Sequence, residues 1–131
     1  MTRREIRENV FKMLFRAEFH ETDDMKEQLA LFDEELSDVK EDELSYMKSK
    51  CNEILSRIPE IDKAVNEVAE GWKTSRMGKV DLSIIRLAVY EIKYEEEIPT
   101  KVAINEAVEL AKKFGADASS SFVNGILAKF A

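Results

Sequence analysis

The chain contains one cysteine, Cys51, and one histidine, His20. That scarcity excludes an internal disulfide framework and any zinc site built mainly from cysteine and histidine. Long apolar runs are also missing, and none approaches the about 18 consecutive residues that signal a membrane span. The N-terminus, MTRREIRENVFKMLF, interleaves charge with apolar residues and lacks the continuous stretch of a signal peptide. Glycine and proline number only four and two, and neither occurs in the first 58 residues. There is no glycine-rich phosphate loop, no nucleophile elbow and no acid–base pair in a recognisable motif. These absences predict a cytoplasmic domain without metal or cofactor, and not an enzyme.

What is present suits one domain: 131 residues, 44% of them hydrophobic, enough to build a core. The net charge of −7 is unevenly spread. Residues 1–16 carry Arg3, Arg4, Arg7, Lys12 and Arg16 against Glu5 and Glu8. Residues 21–44 carry eleven acidic groups against Lys26 and Lys40. Residues 72–93 swing back, with Lys73, Arg76, Lys79, Arg86 and Lys93 against Asp81 and Glu91. An acidic protein of pI near 4.9 does not coat itself in nucleic acid indiscriminately, yet it can present one small basic site.

The hydrophobic period is helical almost throughout. Ile6, Val10, Met13, Leu14 and Ala17 form one face, preceded by a Thr2/Glu5 capping box. Met25, Leu29, Phe32 and Leu36 form a second, with Thr22 and Asp23 as cap candidates. Leu44, Met47, Cys51, Ile54 and Ile58 form a third. Pro59 opens a fourth helix through Ile61, Val65, Val68, Ala69 and Trp72. A fifth runs from about Val80 to Tyr94, and a sixth from Val102 to Phe114, closed by Gly115. A seventh, capped by Ser119 or Ser120, carries Phe122, Val123, Ile126, Leu127 and Phe130. Within it, Gly125 reads as a close helix–helix approach. The fold expected is all-α, about seven helices in two helical subdomains of approximately 1–58 and 59–131.

Two segments break local rules. Arginines at positions 3, 4 and 7 oppose the positive end of the first helix dipole. At 100° per residue, Arg4, Phe11 and Phe15 fall opposite the apolar face, with Arg7 on its shoulder. Guanidinium groups beside phenyl rings suit single-stranded nucleic acid, where phosphates pair with arginine and bases lie on rings. The alternative is that Phe11 and Phe15 pack on another helix while the arginines are solvated. The helix over 80–94 is apolar around nearly its whole circumference, so it is either central or docked on a partner protein. Arg86 and Glu91 within it call for ion pairs. Lys73, Arg76 and Lys79 extend a basic surface or decorate a solvated loop. Cys51, in phase with an apolar face, reads as an inert core thiol. Glu95, Glu96 and Glu97 read as a solvated loop. The serines at 119–121 supply cap chemistry, although hydroxyls and free amides at a helix start also receive phosphate.

Three segments, VDLSIIRLAVYEI (80–92), IPTKVAINEAVELAKKFG (98–115) and SFVNGILAKF (121–130), resemble in order and spacing the NusB family of bacterial transcription antitermination factors. RENVFKMLF (7–15) resembles that family's first helix. A domain of this kind also occurs at the N-terminus of some RNA methyltransferases. No Rossmann-type segment follows here, so the stand-alone factor is the expectation. The resemblance implies seven helices in two subdomains, binding of the single-stranded boxA element of nascent RNA, and pairing with the ribosomal protein NusE. It further implies action with RNA polymerase on ribosomal RNA operons. It places RNA contacts at Arg3, Arg4, Arg7 and Phe15, then Arg76, Lys79, Ser119 and Phe122, and NusE contacts at Asp81, Ile84 and Ala88. Some relatives are homodimers that bury the RNA surface. This sequence departs from the pattern at ADASS, where Ala118 and Ser121 supply no charge and more weight falls on the first helix. The competing expectation is a protein-interaction scaffold docking through the 80–94 helix without RNA.

Overall fold

A computed structural model describes residues 1–18 and 39–131, and it shows six α-helices and no strand among them. The expected helix over Met25–Leu36, its caps Thr22 and Asp23, and His20 lie outside the described residues. The chain divides into two compact units, Met1–Leu55 and Ser56–Ala131.

In the first unit, α1 (Arg3–Ala17) opens on the anticipated capping box. Glu5 N–H donates to Thr2 Oγ1 at 3.1 Å, and Thr2 N–H donates to Glu5 Oε1 at 3.0 Å. Two otherwise orphaned donors are thereby satisfied, which offsets part of the dipole penalty of the flanking arginines. The buried face is turned from the one that periodicity suggests. It comprises Arg7, Val10, Phe11, Met13 and Leu14, while Ile6 and Ala17 are only partly covered. The other described helix of this unit, α2 (Glu41–Ser56), buries Met47, Lys50, Cys51 and Ile54. The Met1 ammonium meets Glu43 at 3.0 Å and links the starts of the two helices. Cys51 is fully buried, and loss of hydration pushes its thiol up to about 12. It is a core thiol.

In the second unit, α3 (Ile58–Val68) carries Pro59 in its first turn, and Ile58 belongs to it, not to the preceding helix. It stops at Val68, so the helix does not reach Trp72 as the spacing suggests. Trp72 N–H instead closes a turn on the Ala69 carbonyl at 2.8 Å, with Gly71 at φ 77° in its third position. That left-handed conformation belongs to glycine. A short 3-10 turn (Thr74–Arg76) leads to α4 (Lys79–Tyr94). Pro99 then precedes α5 (Thr100–Phe114), and α6 (Ser119–Leu127) follows, ending in a 3-10 turn at Ala128–Phe130.

α4 is the central element, packed against α3, α5 and α6. Every residue from Leu82 to Glu91 is buried. The apolar circumference is therefore explained by the chain's own helices. Arg86 makes its pair with Asp62 of α3 through two bonds, Nε to Oδ1 at 2.9 Å and Nη2 to Oδ2 at 2.7 Å. This fork geometry compensates a buried guanidinium as one point contact does not.

Two glycine readings change. Gly115 ends α5 in an extended conformation, φ −94°, not a left-handed cap. A Cβ there would lie 2.5 Å from Ser119 Cβ, 2.6 Å from Ser119 Oγ and 2.8 Å from the Ala111 carbonyl oxygen, so close approach is what demands glycine. Gly125 is the converse. It is exposed, and a Cβ added there would meet nothing within 4 Å, so no close approach at its Cβ position demands glycine.

Candidate nucleic-acid interface

On α1, Arg3 and Arg4 are exposed, as the amphipathic reading requires. Arg7 is not: only 9% of it is accessible, and it is engaged within the chain. Phe11 is buried and stacks on Phe15, with centroids 6.2 Å apart and planes 29° apart. The packing reading therefore holds for Phe11, whereas Phe15 stays partly accessible at the margin of the buried face. The discrepancy has a simple origin. The apolar arc of an amphipathic helix spans about 100° or more, and a wide arc takes in residues that a narrow stripe leaves outside.

The second group of predicted residues lies in the second unit. Lys73, Arg76 and Lys79 are all exposed, the first two on the segment joining α3 to α4 and the third at the start of α4. This segment is pinned at several points. Thr74 N–H donates to Asn66 Oδ1 at 2.8 Å, and Asn66 Nδ2 donates back to Thr74 Oγ1 at 3.3 Å. Lys129 Nζ donates to the Val68 carbonyl at 2.8 Å, satisfying an acceptor at the end of α3. Phe122 on α6 is partly buried, and its ring meets Trp72 edge to face, with centroids 5.4 Å apart and planes 73° apart. Helical spacing assigns Trp72 to a buried face, yet 56% of it is exposed. The clue is Gly71, a helix terminator directly before it.

Ser119 departs from its expected role. It is buried in the first turn of α6, with Ala118 as the N-cap, and its Oγ accepts from the Ala116 N–H at 3.0 Å. Its hydroxyl closes the turn after α5, and Ser121 is the exposed serine of the three. Of the partner residues, Asp81 is partly exposed, but Ile84 and Ala88 are 0% and 1% accessible. They fill the core around α4, whose stretch from Leu82 to Glu91 is covered by the neighbouring helices, so only its two ends reach solvent.

Among the described residues, no group of three or more histidine, cysteine or carboxylate side chains could hold a metal ion, and no helix is long and apolar enough to cross a membrane. Among the described residues the arrangement is all-helical, and it defines a helical protein that displays cationic and aromatic side chains, those of the second unit from a pinned segment.

Comparison with known proteins gives the particular family. The NusB family matches residues 4–131, and the chain belongs to it. It is 60% identical to the transcription antitermination protein NusB of Agathobacter rectalis, over all of both chains. NusB of T. maritima superposes with a TM-score of 0.87 at 34% identity, covering 99% of this chain and 90% of that one. A chain in a structure of antitermination factors NusB and NusE with double-stranded RNA shares the fold, with a TM-score of 0.81 at 23% identity, covering 98% of this chain and 94% of that one.

Proposed function

We propose that this protein is a cytoplasmic, non-enzymatic transcription antitermination factor. It binds boxA-type single-stranded RNA together with ribosomal protein NusE and supports processive transcription of ribosomal RNA operons by RNA polymerase. The observation that carries this reading is the end-to-end identity of 60% with an antitermination protein. A structure of NusB and NusE with double-stranded RNA, whose fold this chain shares, supports NusE and RNA as the partners. Exposed Arg3, Arg4, Arg76 and Lys79 offer phosphate contacts, and the accessible parts of Phe15 and Phe122 offer ring faces. Arg7 and Ser119 are only 9% and 6% accessible, and the Ser119 hydroxyl already accepts from the Ala116 N–H, so the weight of the reading falls on the exposed residues. Burial of α4 removes the apolar face on which a scaffold without RNA would depend.

Fluorescence anisotropy of a labelled boxA-like single strand tests the reading, using the protein alone, with NusE, and with NusE plus the Arg3→Ala/Arg4→Ala variant. Tight binding should require NusE. Removing two phosphate contacts should flatten the plot of log affinity against log salt by about 1.4, at roughly 0.7 per contact on a single strand. NusE association without any RNA binding at low salt refutes the proposal. A homodimer that occludes the RNA surface would appear as affinity falling with rising protein concentration.

A further inference from the structure

We propose that Trp72 is a nucleobase-stacking residue, with Phe122 as the ring that holds it in place. The inference rests on the RNA-binding reading and adds to it a side chain that reading does not include. Trp72 is the most exposed of the large hydrophobic residues among those described. A single exposed apolar side chain is ordinary, so exposure alone decides nothing. The backbone that carries it is the stronger observation. Gly71 adopts φ 77° to make the turn, Trp72 N–H closes that turn on Ala69, Asn66 clamps Thr74 from both sides, and Lys129 holds the Val68 carbonyl. A loop built this firmly presents the indole in one place. The 73° angle between the rings makes the Phe122 contact an edge-to-face one, which leaves indole surface uncovered.

Charge selects the ligand. From Gly71 to Val80 the chain has no carboxylate and three cations, Lys73, Arg76 and Lys79, in a protein whose net charge is −7. A basic protein partner is repelled by that stretch. A phosphate backbone is attracted, and an aromatic face beside cations takes an unstacked base.

The chain has one tryptophan, so the ring reports on itself. The experiment titrates a short single-stranded RNA carrying a boxA-like sequence into the full-length protein with NusE, followed by anisotropy and by the emission difference between wild type and Trp72→Phe. Trp72→Ala should weaken RNA binding about fivefold or more, the low end of what one stacked base contributes. Its salt slope and NusE affinity should stay unchanged, and Trp72→Phe should lose less. RNA should quench the Trp72 emission. Wild type that binds RNA while Trp72→Ala binds it within about twofold overturns the inference and leaves the antitermination reading standing. Trp72→Ala that weakens NusE binding instead assigns the ring to protein contact and also overturns it. Wild type that binds no RNA with NusE overturns both.

Discussion

Gly115 and Gly71 are required for different reasons, and alanine and asparagine scans separate them. At Gly115 an added Cβ meets three heavy atoms inside 3.0 Å, one of them the Ala111 backbone oxygen. Overpacking of this kind costs about 1–3 kcal/mol. Displacing Ser119 also breaks its bond to the Ala116 N–H, worth about 1 kcal/mol. Gly115→Ala should therefore cost about 2–4 kcal/mol in urea unfolding at unchanged m-value. Gly115→Asn should be equally costly, because any Cβ clashes. At Gly71 nothing lies within 4 Å, and the φ of 77° is the whole requirement. Gly71→Ala should cost about 1 kcal/mol, the left-handed penalty less the gain from a stiffer unfolded chain. Gly71→Asn should cost only a few tenths, since asparagine visits that region readily. If Gly115→Asn keeps wild-type stability while Gly115→Ala does not, the position is governed by conformation and the steric argument fails.

Truncating Asp62 to Ala leaves the Arg86 guanidinium buried without its partner. With the two side chains 20% and 10% exposed, unfolding should show a loss of about 2–4 kcal/mol, somewhat below the fully buried case. The Asp62→Leu/Arg86→Met double variant should recover most of it, and a double variant as unstable as the single one refutes the desolvation account. Cys51 makes a pH prediction. Its thiol is raised from 9.0 to about 12 in the folded chain. Above pH 9 the unfolded state therefore binds fewer protons, and stability falls as pH rises toward 12. The slope, taken relative to Cys51→Ala, should reach about −1.4 kcal/mol per pH unit, and equal pH profiles for the two proteins would falsify the burial argument. Arg7→Ala should lower the unfolding midpoint, unlike Arg3→Ala or Arg4→Ala, which should leave stability within about 0.5 kcal/mol. A midpoint for Arg7→Ala equal to that of Arg4→Ala contradicts the structural role of the buried group.

Much of the fold is legible in the residues themselves. The Thr2/Glu5 box, the helix opening at Pro59 and the all-round apolar pattern of 80–92 each state a local requirement with few solutions. The readings that changed concern which neighbour meets which side chain. Phe11 and Phe15 are four positions apart on one helix, yet one is buried and the other sits at the margin, since the width of the covered arc is set by what packs there. Trp72 continues a helical spacing that Gly71 ends. Gly125 and Gly115 look alike in a string of letters. Only the surrounding atoms distinguish open space from a 2.5 Å encounter.

The sequence by itself determined the helical class, the uneven charge and the family, because periodicity, composition and ordered motifs are properties of the chain. Tertiary structure decided the rest. It buried Ile84, Ala88 and Arg7, directed Arg86 to Asp62, turned Ser119 inward and set Trp72 against Phe122 in the open. The Arg86–Asp62 pair and the Trp72–Phe122 contact join residues far apart in the chain, and the burial of the others depends on which face of a helix its neighbours cover, neither of which local spacing encodes.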